Sequence, residues 1–311
     1  FLGAIASMIY NMGSGILRAM GDSRRPLIFL VVTCFTNIAL DLICVVVLRW
    51  GIAGAAIATV LSQYISAALV VITLCRLPED VRLERSKMRI NPRQLRQILV
   101  IGIPAGLQFV MFDLSNLLVQ SGINSFGDVT MAAWAAYSKA DGLTWMTCGA
   151  FGVAVTTFVG QNFGAQKYSR IRQSVRVCMG MSVALLGAIA ALELAWRELI
   201  LGFFTTDSDV IRVGAYAMLW IVPFNVLFMP VEIFGGAMRG TGYSVMPTVI
   251  SCVCICVFRV LWVALAVSRW HTIEMLCLAY PVTWTLCTTV FAAVYFRGRW
   301  LTGRIAALGL E

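Results

Sequence analysis

Long apolar stretches separated by short polar connections run the whole length of this chain. Nine can be marked, at about 1–17, 27–48, 52–74, 98–121, 130–159, 177–195, 213–238, 248–267 and 275–296. A helix needs about 20 apolar residues to cross the hydrocarbon of a bilayer, and most of these stretches reach that length. None alternates strictly between apolar and polar positions, which argues against a transmembrane β-barrel. The pattern predicts an all-α integral membrane protein, a polytopic helical bundle. One long polar stretch, 76–97, breaks it, with seven Arg or Lys and three acidic residues. It divides the chain into 1–75, a connecting linker at 76–97, and 98–311.

One polar connection occurs twice. Arg18-Ala-Met-Gly21-Asp-Ser23-Arg-Arg-Pro26 and Arg239-Gly-Thr-Gly242-Tyr-Ser244-Val-Met-Pro247 both read R-x-x-G-x-S-x-x-P, at a sequence offset of 239 − 18 = 221. The apolar stretch after each copy ends on Arg49-Trp50 and Arg269-Trp270, at an offset of 269 − 49 = 220. Matching landmarks at one period indicate an internal duplication. The second copy is a six-span unit from near Arg93 to near Arg304, whereas the first shows only its last three spans. Subtraction (93 − 221 = −128) places the start of the first copy before Phe1. The expectation is a parent of twelve spans in two parallel six-helix lobes, related by an axis along the membrane normal, with nine spans in this chain.

Composition agrees. Sixty per cent of the residues are hydrophobic, 13% are charged and the mean hydropathy is +0.85, against roughly half and a quarter in soluble domains. The net charge of +9 reads as orientation, because the bases gather in alternate connections. The connections at 18–26, 76–97, 160–176 and 239–247 and the tail from 297 hold 3, 7, 4, 1 and 3 of them, eighteen in all; the opposite connections hold Arg49, Arg197, Arg212 and Arg269. The positive-inside rule makes the first set, including the basic C-terminal tail, cytoplasmic. Trp50 and Trp270 fall where an outer aromatic belt would put them. Nothing here asks for a nucleic-acid partner. No G-x-x-x-x-G-K-[ST] loop occurs, so ATP does not drive the chain by itself. The ten cysteines are scattered through the spans without a C-x-x-C and read as small apolar residues. His271 is the single histidine. No nucleophile–base constellation, metal-ligand set or cofactor motif is legible, and an enzyme is not expected.

Several segments resemble the multidrug and toxic compound extrusion (MATE) family. Val159-Gly160-Gln161-Asn162-Phe163-Gly164-Ala165, followed by Lys167, Arg170 and Arg172, is similar to the end of that family's eighth helix. The two R-x-x-G-x-S-x-x-P loops are similar to those after its fourth and tenth helices. Asn37-Ile-Ala-Leu-Asp41 with Gly51–Thr59, and Tyr280-Pro281 with Trp284, resemble its fifth-to-sixth and last helices. The ordered set covers the chain as helices four to twelve. The resemblance implies a secondary antiporter of the plasma membrane. It would expel lipophilic, often cationic compounds against an inward Na⁺ or H⁺ gradient, by alternating access between two lobes. Its partners would be small molecules and the bilayer. A lipid-linked saccharide flippase of the same superfamily, or a passive channel or scaffold, stands as the alternative.

Charge inside a membrane is costly, about 2.5–3.5 kcal/mol per group on insertion scales, so each such residue is a functional candidate. Asp113 and Lys139 sit at similar depth on neighbouring antiparallel spans, where they would form either a static ion pair or one broken by an arriving cation. Asp141, about 200° round the helix from Lys139, would then be left free. Glu232 follows Pro230, and the carbonyls of a broken turn beside a carboxylate suit a cation; Arg239 or Arg259 is its candidate partner. The family resemblance points the same way, since its sodium-coupled branch uses carboxylates on the seventh and tenth helices, where Asp113 and Glu232 fall. Trp134, Tyr137, Trp145, Met111, Met146 and Met229 are candidates for lining a cavity that attracts organic cations, or for ordinary packing. Asn37 and Asp41 share a helix face and suit packing between spans. Arg18, Gly21, Pro26, Arg239, Gly242 and Pro247 read as structural turns, and Gly160 and Gly164 as points of close helix approach or sharp exit.

Overall fold

The computed structural model describes residues 2–84, 88–297 and 299–307 of the chain; 85–87 of the linker, and 298 and 308–311 of the basic tail, lie outside the described residues. All regular structure among them is helical. The chain forms two compact units, Phe1–Pro92 and Arg93–Glu311.

The first unit has three helices. α1 (Ala4–Ala19) ends at the first R-x-x-G-x-S-x-x-P loop. α2 (Arg24–Asp41) continues through a π-helical stretch, Leu42–Val47, and α3 is Gly51–Cys75. Tyr10, Leu17, Val70 and Leu74 form the core, and the Tyr10 hydroxyl donates to the Pro26 carbonyl at 3.0 Å. α1 and α3 pack closely at Gly13, where an added Cβ would come within 2.8 Å of a Val70 methyl.

The second unit carries the longer helices: α4 (Pro92–Asn124), α5 (Asp128–Ala140), α6 (Gly142–Gly164), α7 (Tyr168–Ala195), the short α8 (Arg197–Gly202) and α9 (Ser208–Ile221). A 3-10 stretch, Val222–Phe228, joins α9 to α10 (Met229–Gly240). α11 (Val245–Ser251), α12 (Phe258–Trp262) and two π-helical stretches make one further rod, and α13 (Ile273–Phe296) and α14 (Arg299–Ala307) close the unit. Its core centres on α6, α9, α10 and α13, with Trp284, Phe291, Met218, Ile233 and Met238 fully enclosed.

Among the described residues, eight helices are long and apolar enough to cross a membrane. α1, at 16 residues, is shorter than a full crossing needs. The stretch at 130–159, expected to be one span, is interrupted at Asp141, and only Gly142–Gly164 has membrane-spanning length and composition. The stretch at 213–238 lies within a rod, Ser208–Gly240, with the 3-10 turn near its middle.

The backbone carries the repeat as well. Gly21 and Gly242 have φ of +90° and +80°. The Gly21 amide donates to Arg18 and the Asp22 amide to Leu17, both at 2.9 Å; the Gly242 amide donates to Arg239 at 2.9 Å and the Tyr243 amide to Met238 at 3.1 Å. Each bond in the second loop matches its counterpart at the same offset as the loops themselves (242 − 21 = 243 − 22 = 221). This is a left-handed glycine terminating a helix and satisfying its last carbonyls. The π-helical stretch at Leu42–Val47 has its counterpart at Val263–Val267, again at that offset (263 − 42 = 221).

Candidate functional site

Two interrupted helices meet in the second unit. Asp141 occupies the break between α5 and α6, and Asn225 lies in the 3-10 stretch between α9 and α10. Both are buried, at 3% and 2% exposure. One carboxylate oxygen of Asp141, Oδ2, accepts from Trp145 Nε1 at 2.7 Å and from the Tyr137 hydroxyl at 3.2 Å; Oδ1 accepts from Asn225 Nδ2 at 3.0 Å. Tyr137 and Trp145 stand one helical turn before and after Asp141, so the local chain itself places both donors. No base pairs with this carboxylate among the described residues. A second acid lies nearby: Thr144 Oγ1 donates to Glu193 Oε1 at 3.2 Å. Glu193 is 5% exposed, and its Oε2, like Asn225 Oδ1, is buried without a partner among the described residues.

Aromatic rings enclose the cluster. Trp145 packs edge-on to Phe228 and Trp284, with centroids at 5.0 and 6.0 Å. Tyr280 joins Trp284 to Trp134, which touches Tyr137. On Tyr280 lies the guanidinium of Arg259, 4.3 Å from the ring centroid. Arg259 is 5% exposed and, among the described residues, donates to neutral acceptors, Asn116 Oδ1 at 3.3 Å and Thr283 Oγ1 at 3.4 Å. A buried base and a buried acid thus flank one aromatic wall without pairing.

The other expected carboxylates behave differently. Asp113 and Lys139 are both exposed and form no ion pair with each other; the pair expected from their matched depth is not made. Depth set only their height: α4 and α5 turn the two side chains away from the interior. Glu232, in the first turn of α10, pairs with Arg239 at 3.4 Å, each side chain one-fifth exposed. Its carboxylate lies over α6, where a Cβ on Gly152 would come within 2.5 Å of Oε2. α10 can lie so near α6 because Gly152, Gly236 and Gly240 line the contact, and Thr156 Oγ1 donates across it to the Gly236 carbonyl at 3.1 Å.

Among the cavity candidates, Met229 is fully buried in the core and lines no opening, Met146 is largely exposed, and Met111 is half-buried. Tyr137, Trp134 and Trp145 do gather at the Asp141 site. Gly160 makes the expected close approach, 3.3 Å from the Gly240 carbonyl for an added Cβ, but nothing lies within 4 Å at Gly164. The turn after α6 is carried instead by Gln166, at φ +57°, and Gln161 is exposed on the last turns of that helix. Pro26 and Pro247 are buried in the first turns of α2 and α11, as the turn reading of both loops requires. In the first unit, Asn37 Nδ2 and Asp41 Oδ1 are buried without partners among the described residues, which packing alone does not explain, since an unmet buried polar group costs about 1–3 kcal/mol.

Glu193, Asn225 and Arg259's ring of neutral partners escaped the sequence reading. The signal for Glu193 was present, an acid inside the apolar run Ala190-Ala-Leu-Glu193-Leu-Ala195. Asn225 gave none, because a neutral amide in a span is ordinary.

The MatE family model matches residues 104–265, just over half of the chain. The chain belongs to that family. MATE proteins are transporters and not enzymes, and this chain is a multi-pass membrane protein, with eight helices of membrane-spanning length and composition among its described residues. It is 26% identical over 92% of its length to "Probable multidrug resistance protein YoeA" of Bacillus subtilis (strain 168), covering 64% of that protein. To "Probable multidrug resistance protein YpnP" of the same organism it is 28% identical over 96% of its length, covering 67%. The chain therefore spans about two-thirds of the length of these relatives. In fold it is similar to a crystal structure of a mutant of the Vibrio cholerae MATE transporter VcmN, with a TM-score of 0.88 and 20% identity over 96% of this chain and 67% of that one.

Proposed function

We propose that this MATE protein is a cation-coupled antiporter of the plasma membrane that exports lipophilic, often cationic compounds, and that Asp141 is the group in its second unit that answers the coupling ion. The observation carrying this reading is the setting of Asp141: a buried carboxylate with three neutral donors and, among the described residues, no base, held where two helices are both interrupted. A buried unpaired charge is expensive. Binding H⁺ or Na⁺ removes that charge and weakens the hold of Tyr137, Trp145 and Asn225 on the carboxylate. Those three donors sit on α5, α6 and the α9–α10 turn, so the ion changes the contacts between the interrupted rods. Differential contacts of this kind are what lets an ion bias one conformation over another. The aromatic faces around the site suit a lipophilic cation.

Asp41 with Asn37 is the matching candidate in the first unit, because of their unmet polar atoms. Glu232, held by Arg239, reads as a fixed pair. The flippase alternative needs several buried bases for phosphates, and Arg259 is the buried base found among the described residues. Vesicle transport of a fluorescent cation under separately imposed Na⁺ and H⁺ gradients tests the reading. Gradient-driven export lost in Asp141→Asn supports it; conductance or binding without counter-ion flux favours the channel or scaffold.

A further inference from the structure

The base-rich end of the second unit carries two adjoining cavities built on the repeated loop. One, of about 400 Å³, is lined by Arg93, Arg96 and Gln97 of α4, Gly242 of the loop and Arg304 of α14. The other, of about 550 Å³, is lined by Tyr243, Met246, Ala293, Val294, Trp300, Arg297 and again Arg304. No acidic side chain lines either one among the described residues. Both walls are tied to the loop: Ser244 Oγ donates to the Val100 carbonyl of α4 at 3.2 Å, and Arg304 Nε donates to the Thr241 carbonyl at 3.2 Å. Gly242, at φ +80°, lets the guanidinium lie against the backbone; a Cβ there would come within 3.1 Å of it.

We propose that these cavities form a binding site for an anionic phospholipid of the leaflet at that end, its phosphodiester held by Arg93, Arg96 and Arg304 and its acyl portion by the apolar wall. Charge complementarity selects the headgroup. The apolar wall distinguishes a lipid from a free anion: Met246, Ala293, Val294 and Trp300 offer a phosphate nothing, but give an acyl chain a surface continuous with the helices. Basic pockets between transmembrane helices on the side carrying the positive charge are suited to acidic headgroups, and an arginine fork matches phosphate oxygens bidentately. The site does not depend on the Asp141 reading. It gives the second R-x-x-G-x-S-x-x-P loop a use beyond turning the chain; at Gly21 of the first loop nothing lies within 4 Å of an added Cβ.

The test uses the purified chain in detergent, with lipid retention read by native mass spectrometry. Phosphatidylglycerol should be retained at least about tenfold over chain-matched phosphatidylcholine. Arg96→Gln and Arg304→Gln should each lower that preference about fivefold, while Arg212→Gln and Arg269→Gln, at the opposite connections, should leave it unchanged. Arg304→Gln also loses the bond to Thr241, so the exposed Arg96→Gln variant, with its unfolding midpoint in phosphatidylcholine unchanged, is the cleaner arm. Equal retention of the two lipids, or an equal loss in the Arg212 and Arg269 variants, overturns the proposal. So does displacement of phosphatidylglycerol by an equal concentration of inorganic phosphate, which would show a free-anion site.

Discussion

Replacing Asp141 by Asn or by Ala separates its structural role from its role in coupling. In Asp141→Ala, Trp145 Nε1, the Tyr137 hydroxyl and Asn225 Nδ2 all lose their acceptor inside the unit. Each stranded donor costs about 1–3 kcal/mol, roughly 3–9 kcal/mol together, a large part of a typical stability of about 5–15 kcal/mol. Asp141→Asn differs because the site can re-form. The new amide keeps its oxygen toward Trp145 and Tyr137 and turns its NH₂ toward Asn225. Asn225 then presents Oδ1, which at present has no partner among the described residues, by reversing its own amide. Three charge-assisted bonds become neutral ones, a loss of about 1 kcal/mol each, partly offset by removing a buried charge. The net change stays within about 1–3 kcal/mol. Thermal unfolding in detergent should therefore show Asp141→Asn near the parent and Asp141→Ala far below it or not expressed. In vesicles, Asp141→Asn should bind a fluorescent cation yet lose gradient-driven export. Equal stability of the two variants would refute the hydrogen-bond reasoning. Undiminished gradient-driven export by Asp141→Asn would refute the coupling role.

Three further outcomes are expected. Gly152→Ala should destabilise the parent by about 1–3 kcal/mol through its clash with Glu232, and should cost much less when introduced into Glu232→Ala and measured by unfolding against Glu232→Ala alone; an equal cost in both backgrounds would place the strain elsewhere. Glu232→Gln alone should weaken the fold and lower export, and Glu232→Gln with Arg239→Gln should restore both; a double variant that folds but does not export would put Glu232 on the ion path. Arg259→Met should leave the unfolding midpoint unchanged or raised, because a buried charge without an acid partner stabilises little, while raising export of cationic over neutral dyes; loss of folding would show that its bonds to Asn116 and Thr283 hold the unit together.

What could be read from the chain alone follows from what each signal depends on. Eight of the nine expected stretches, and the family, were legible because hydrophobicity along one bilayer crossing, and turn chemistry at glycine and proline, are local properties. The R-x-x-G-x-S-x-x-P loops gave both the period and the left-handed glycines, since only the backbone at Gly21 and Gly242 had to be right. The interruption at Asp141 was not legible: Ser138, Lys139 and Asp141 ahead of Gly142 look like tolerated polar positions within one long apolar span. Pairing by depth failed at Asp113 and Lys139 because depth fixes height in the membrane but not rotation about the helix axis. For Glu232 the sequence left Arg239 and Arg259 both open as partner; the structure makes the pair with Arg239, seven residues on along the same helix. Asn225 joins Asp141 from far along the sequence (225 − 141 = 84), and no local pattern reports such a meeting.

The two loops show how a duplicated element acquires a second use without losing its first. Their hydrogen bonds and glycine dihedrals match across the repeat, because ending one helix and starting another demands that backbone in both places. The side chains around them answer to no such demand. Gly21 borders open space within its own unit, whereas Gly242 lies beneath Arg304, between α4 and α14. A turn that must exist for topological reasons is already rigid, and rigidity is what holding an arginine fork in place requires. The difference between the copies therefore lies in what packs on the turn, and that is where the charge at this end of the second unit becomes a shaped site and not merely an orientation signal.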